Sequence, residues 1–339
     1  MRDKSSSSQT ETNTLPSTNR RTFLQCMTWA GAGLVWTMSG GVPRSLGFTN
    51  SAYAEALPKD DAFTFVQISD SHIGFNKDPN MDPASTLQEA IADIKRINLK
   101  PSLLLHTGDV SQLSKPEQFD TAEQIIRGAG LDTHYVPGEH DTLIDSGKPF
   151  FARFSAGAEN GWYSFDQRGV HFIGLVNVVE LKEGGLGYLG PKQLEWLERD
   201  VKGLSASTPI VVFAHMPLWS AYADWGWGTQ DAAQALTYLK RFGSVTVLNG
   251  HIHQIMQKVE GNVSFHTARS TAFPQSTPGS AAGPGPLVVP AGTLKSVLGI
   301  ATIQVEGNAK RATITDRSLA EETVAQHVDP FAQSVFLGG

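Results

Sequence analysis

Thiol is nearly absent from this 339-residue chain, whose one cysteine is Cys26. An internal disulfide is therefore impossible, and a metal site would have to use oxygen and imidazole ligands. Charge is sparse as well, at 18 % of residues, and bases are outnumbered 27 to 33 for a net −6. Such a balance speaks against a nucleic-acid or anionic-membrane partner. Long apolar runs are also lacking. The best candidate, "CMTWAGAGLVWTMSGGV" from Cys26 to Val42, is rich in Gly and Ser and marginal for a bilayer span. Internal repeats are absent. Glycine (33) and proline (18) imply abundant turns, while 40 % hydrophobic residues suit an enzyme-sized core. At this length one α/β domain of about 200–250 residues plus an extension is an ordinary outcome.

The extension is the amino-terminal part. "NRRTFLQ" places Arg20 and Arg21 ahead of the apolar stretch, and "SAYAEA" offers Ala52 and Ala54 as a small-x-small cleavage site before Glu55. Charged, apolar, then small is the order of an export signal, and it resembles the twin-arginine type. We expect residues 1–54 to be that signal, 55–318 the folded domain and 319–339 a loosely held tail. The expected location is periplasmic or secreted, reached as a folded protein through the twin-arginine machinery, with no stable membrane insertion after cleavage. A retained membrane anchor is the alternative. Removing residues 1–54 takes five of the bases and two of the acids, leaving 22 against 31, a net −9.

Five short apolar runs follow, each delivering an acid or a histidine at its end. They are "FTFVQIS" before Asp70, "SLLLHT" before Gly108-Asp109, "THYVP" before Gly138-Glu139-His140, "PIVVFA" before His215 and "VTVLN" before Gly250-His251. Runs of this length and make-up predict buried strands. Between them, "STLQEAIADIKRIN", "PEQFDTAEQIIRGA", "PKQLEWLERDVKGL" and "TQDAAQALTYLKRFG" predict helices, the first capped by Ser85 or Thr86. Strand alternating with helix is the α/β signature. "GWYSFDQRGVHFIGLVN" predicts two adjacent strands joined by a tight "DQRG" turn. Beyond residue 258 the pattern is β-like again, interrupted by the Pro/Gly/Ser-rich loop 274–286.

Ligands of open α/β sheets bind beyond the carboxyl ends of strands. Five runs ending alike therefore form a constellation. Asp70-Ser71-His72 and His251-Ile252-His253 are spaced so that, on extended backbone, both side chains of a pair point to one side and could chelate one centre. With Asp109, Glu139 and His215 the candidate ligands number seven: Asp70, His72, Asp109, Glu139, His215, His251 and His253. That is too many for one ion and suits two sharing a carboxylate. A sulfur-free N/O set points to Fe or Mn, with Zn possible, rather than Ca or Mg.

"DSH", "GD", "GEHD", a single "H" and "GHIH", in that order, resemble the calcineurin-like metallophosphoesterases over about residues 63–270. The spacing is nearest to the branch holding class III cyclic-nucleotide and glycerophosphodiester phosphodiesterases. The resemblance implies a four-layer α/β/β/α sandwich acting on a small phosphoester substrate. It implies a first metal on Asp70, His72, Asp109 and His253, and a second on Asp109 (bridging), residue 139, His215 and His251. A bridging hydroxide would attack phosphorus, His140 would protonate the leaving oxygen, and Asp141 would orient His140. The family places asparagine where this chain has Glu139. A glutamate oxygen can ligate as an amide oxygen does, but a third carboxylate lowers the formal charge of two divalent ions from +2 to +1.

Blander possibilities stand beside these. His106, His134 and His171 lie in strand patterns and are expected to be satisfied core or supporting residues. His266 and Arg269 are expected in core or surface, and His327 in solvent. "PLWSAYADWGWGTQD" carries Trp219, Tyr222, Trp225 and Trp227 directly after His215. These rings could pin a loop to the body by burial, or form a rim stacking an organic leaving group. Diester hydrolysis is the expected activity. Its rivals are phosphomonoester or pyrophosphate hydrolysis, and a metal-holding binding protein whose turnover is lost through Glu139. Intact His140 and Asp141 disfavour that last rival.

Overall fold

The computed structural model describes residues 36–39, 42–45, 63–155, 157–158, 160–290, 292–305 and 312–320. Arg20, Arg21, the Ala52–Ala54 site and His327 lie outside the described residues, as do residues 321–339 of the expected tail. Within the expected leader, Trp36–Ser39 (β1) pairs antiparallel with Val42–Ser45 (β2).

The five predicted strands are all present: Phe63–Ile68 (β3), Leu103–His106 (β4), Asp132–Tyr135 (β5), Ile210–Phe213 (β8) and Val245–Asn249 (β9). So is the hairpin of Tyr163–Gln167 (β6) and Val170–Gly174 (β7). Gln167 pairs with Val170, leaving Arg168 and Gly169 as a two-residue loop, both at positive φ as a type I′ turn requires. The later strands are Met256–Glu260 (β10), Val263–Thr267 (β11), Gly299–Val305 (β12) and Ala312–Ser318 (β13). They assemble into two sheets, β13-β12-β3-β4-β5 and β10-β11-β9-β8-β7-β6.

Why the strands read as unbroken apolar runs is visible in their packing. Phe65, Leu103, Leu105, Phe172, Val211 and Phe213 meet between the two sheets. Their alternate neighbours face outward: Val66 and Leu104 meet helices on one side, and Ile173 and Val212 meet helices on the other. Strands buried on both faces have no polar side to show. Pro83–Arg96 (α1), Pro116–Arg127 (α2) and Lys148–Phe154 (α3) cover the first sheet, and Pro191–Lys202 (α4) and Ala232–Leu239 (α5) cover the second. Three cores thus separate four layers, α/β/β/α.

Two local details differ from expectation. Helix α1 is capped by Asp82, whose side chain accepts from the Ser85 amide, so Ser85 and Thr86 lie inside the first turn behind Pro83. Helix α3 was not anticipated. "KPFFARF" is too short for a periodic signal, and the helix is held by Phe150 and Phe154 packing edge-on against Phe119.

Candidate metal centre

Parallel registry brings the motif loops together. Ile68, His106 and Tyr135 lie level across β3, β4 and β5, and Phe213 lies level with Leu248 across β8 and β9. The residues that follow therefore leave the two sheets side by side. Both sheets contribute to one centre. The His251 amide donates to the Asp70 carboxylate at 3.1 Å, and His215 Nδ1 donates to the Thr107 carbonyl at 2.7 Å. Two glycines make the approach possible. A Cβ on Gly138 would overlap Asp109 Oδ1, and one on Gly250 would overlap Ser69 Oγ.

The side chains gather as two triads, each of one carboxylate and two imidazoles: Asp70, His72 and His253, then Glu139, His215 and His251. Between them lies Asp109. Its Oδ1 accepts from the His140 amide at 2.9 Å, which turns Oδ2 to within 3.5 Å of His72 Nε2 and 3.4 Å of His215 Nε2. The pairing expected from extended backbone is corrected here. Asp70, His72, His251 and His253 all have positive φ, between 40° and 68°. Their segments are left-handed turns rather than strand continuations, so the two-residue rule does not apply. Asp70 and His72 still converge on one triad, whereas His251 and His253 enter different ones.

The donor set fits metal ions. Nδ1 of His215 is spent on Thr107 and Nδ1 of His253 on the Phe273 carbonyl (2.6 Å), so in each neutral ring Nε2 carries a lone pair turned inward. Glu139 Oε2 stands 2.9 Å from His215 Nε2 and Oε1 stands 3.0 Å from His251 Nδ1. Yet among the described residues Glu139 Oε2, His215 Nε2 and both ring nitrogens of His251 lack a hydrogen-bond partner. Buried acceptors converging in this way call for a cation. Within the cluster the carboxylates and imidazoles act on one another. Burial alone would lower the His215 imidazole, but Asp109 and Glu139 raise it well above its ordinary value. Burial would raise the Glu139 carboxyl, but His251 and His215 hold it well below the usual range. His72, mainly through burial, is lowered to about 3.

His140 stands at the edge of this cluster. Its ring meets that of His72 edge-on, centroids 4.8 Å apart, and it groups with His72 and Asp109. Nδ1 donates to the main-chain carbonyl of Gln112 at 2.8 Å, leaving Nε2 available to a substrate. Burial opposes protonation of this ring, but Asp109, Glu139 and the Gln112 carbonyl raise it. The expected role of Asp141 as its orienter is not what the geometry shows. Asp141 turns inward and accepts from the amides of Val110, Ser111 and Gly138 and from Ser111 Oγ, at 2.8–3.0 Å. It braces the loops that carry Asp109 and Glu139. Gln112 takes the orienting role instead, together with Ser114, whose hydroxyl donates to the His140 carbonyl at 2.7 Å. Sequence reasoning missed Gln112, Thr107 and Phe273 because each acts through its carbonyl, which every residue type possesses.

The remaining candidates divide. Trp227 is 1 % exposed and Trp219 packs edge-on against Phe265, so both are core and cannot stack a substrate. Tyr222 and Trp225 are half-buried, and Trp225 leans edge-on against both Tyr222 and Trp227. His106 is buried, 2.8 Å from Ser71 Oγ, and burial lowers it to about 4. His171 lies between Asp166 and Asp200, His134 stacks on Phe165, and His266 pairs with Asp316 at 3.0 Å. Arg269 donates to the Ser296 carbonyl.

Comparison with known proteins agrees with this picture. The chain is 29 % identical over 225 residues to a 3′,5′-cyclic-nucleotide phosphodiesterase of Nostoc sp., covering 65 % of this chain and 80 % of that one. It is 21 % identical over 174 residues to a glycerophosphodiester phosphodiesterase of Enterobacter lignolyticus, covering 49 % of this chain and 61 % of the relative. Among solved structures, a dimetal phosphatase from Danio rerio superposes with a TM-score of 0.57 at 15 % identity, over 76 % of this chain and 97 % of that one, a likeness of fold. The family model for calcineurin-like phosphoesterases matches residues 63–255, more than half of the sequence and a span that holds both triads, Asp109 and His140. The chain belongs to the calcineurin-like phosphoesterase family.

Proposed function

We propose that this chain hydrolyses phosphodiesters at a binuclear metal centre formed by the two triads and Asp109, with His140 returning a proton to the leaving oxygen. The position of Asp109 carries the proposal: one carboxylate oxygen faces both triads, while the other is occupied by the His140 amide. When bound, a pair of divalent ions supplies Lewis acidity and activation of a nucleophile at this place. Iron or manganese suits the N/O donors better than softer ions, with zinc possible. The protein's own part is to orient. Thr107 and Phe273 fix two imidazoles by their carbonyls, Asp141 braces the loops, and Gln112 aims His140. A diester is favoured over a monoester because the relatives from Nostoc and Enterobacter are phosphodiesterases. Export through the twin-arginine route belongs to the same proposal and rests on Arg20, Arg21 and the Ala52–Ala54 site.

The test is an assay of the protein lacking residues 1–54, loaded separately with Mn, Fe or Zn, on a panel of mono- and diesters. Turnover should be greatest on diesters. No turnover with any of the three metals would instead favour a metal-holding binding protein.

A further inference from the structure

We infer that Glu139 makes the two halves of the centre equivalent, so that this chain holds two ions of like charge with closely matched affinity before any substrate arrives. The inference rests on the binuclear reading and deepens it. Each triad owns one carboxylate and two imidazoles, and Asp109 lies at nearly equal distance from both, 3.5 Å from His72 Nε2 and 3.4 Å from His215 Nε2. With a neutral amide at position 139, the first triad would keep Asp70, which stands 3.3 Å from His253 Nε2 and 3.9 Å from His215 Nε2, while the second would have no carboxylate of its own. Affinity at a fixed geometry follows the charge of the ligands, so such a centre would hold its second ion more weakly. Glutamate removes that asymmetry.

A purely structural role for Glu139 does not account for its surroundings. Among the described residues its ion-pair partners are His215 and His251, and no lysine or arginine neutralises it. Each carboxylate oxygen faces a different imidazole nitrogen, at 2.9 and 3.0 Å, without hydrogen-bond geometry at Oε2. The side chain is therefore aimed at the point where its triad converges. It is also the most exposed of the six triad side chains, at 25 %, against 10 % for His251 and 2 % or less for the others. The added charge thus sits on the most solvent-exposed side chain of the two triads.

Metal-free protein titrated with Mn²⁺ alone, followed by calorimetry, tests this. Wild type should bind two ions with dissociation constants within about tenfold of each other. Glu139→Gln keeps the length and removes the charge. It should retain one ion at wild-type affinity, which also reports an intact fold, and bind the other at least about tenfold more weakly. Asp70→Asn should produce the same pattern, with the weakened ion now at the first triad. Two ions at unchanged affinity in Glu139→Gln would overturn the inference. So would a wild type whose second ion binds about a hundredfold more weakly than its first. Hydrolysis is measured separately: matched binding with no turnover of any phosphoester removes the proposed function and leaves this inference standing.

Discussion

His140 Nδ1 stands 2.8 Å from the main-chain carbonyl oxygen of Gln112. The ring is thus held in one tautomer by a group that no side-chain substitution deletes. Gln112→Ala should accordingly lower turnover only a few-fold, whereas His140→Ala should cost about 10²–10⁴-fold, as loss of a general acid does. The His140→Ala loss should shrink on p-nitrophenyl esters, whose leaving group needs little protonation. Equal losses on good and poor leaving groups would mean that His140 positions phosphate instead.

Asp141 should behave as a structural residue. Asp141→Ala strands three buried amides and one hydroxyl, and leaving such donors unsatisfied costs on the order of 3 kcal/mol or more. A large drop in urea midpoint is the expected result. Unchanged stability with a selective loss on poor leaving groups would return Asp141 to the orienting role.

Asp109 faces both triads, so Asp109→Ala should lower metal content at both sites together and abolish turnover. Elemental analysis decides it: two full equivalents in the variant would refute a shared ligand.

Three carboxylates around two divalent ions leave a formal charge of +1, and Glu139→Asn restores +2. The higher charge should benefit dianionic monoesters more than monoanionic diesters. The ratio of kcat/KM for a diester to that for a matched monoester should therefore fall in Glu139→Asn. A ratio that holds or rises, with both metals bound, would show that Glu139 does not set this preference.

Far from the centre, His171 ties β6, β7 and α4 through Asp166 and Asp200, each at 2.9 Å. Burial alone would lower this imidazole, but the two carboxylates raise it above the ordinary 6.5. A raised folded-state value stabilises fully below the unfolded one and is lost as pH climbs past the folded one. The urea-midpoint gap between wild type and His171→Gln should therefore be wider at about pH 5.5 than at about pH 9. A gap that widens with rising pH would contradict the charged bridge.

The sequence by itself determined the layers and the place of the centre. Strands such as "SLLLHT" and "PIVVFA" are apolar throughout because both faces are buried, and each motif residue follows such a strand at its carboxyl end. Those are local properties: composition, period and order along the chain. Strand periodicity could not decide which ligand joins which triad; only the family resemblance and the tertiary structure bear on that. Left-handed backbone at His251 and His253 sends neighbours two residues apart to different triads, although strand periodicity would pair them. Tertiary structure alone decided that Asp141 braces loops instead of touching His140, since its four donors come from residues 3 to 31 positions away. The same holds for Thr107, Gln112 and Phe273, whose carbonyls orient the imidazoles, and for Trp227, which the core claims before a substrate could. Backbone groups are identical at every residue, and burial depends on what the rest of the chain brings alongside. Neither is written in a side chain's identity.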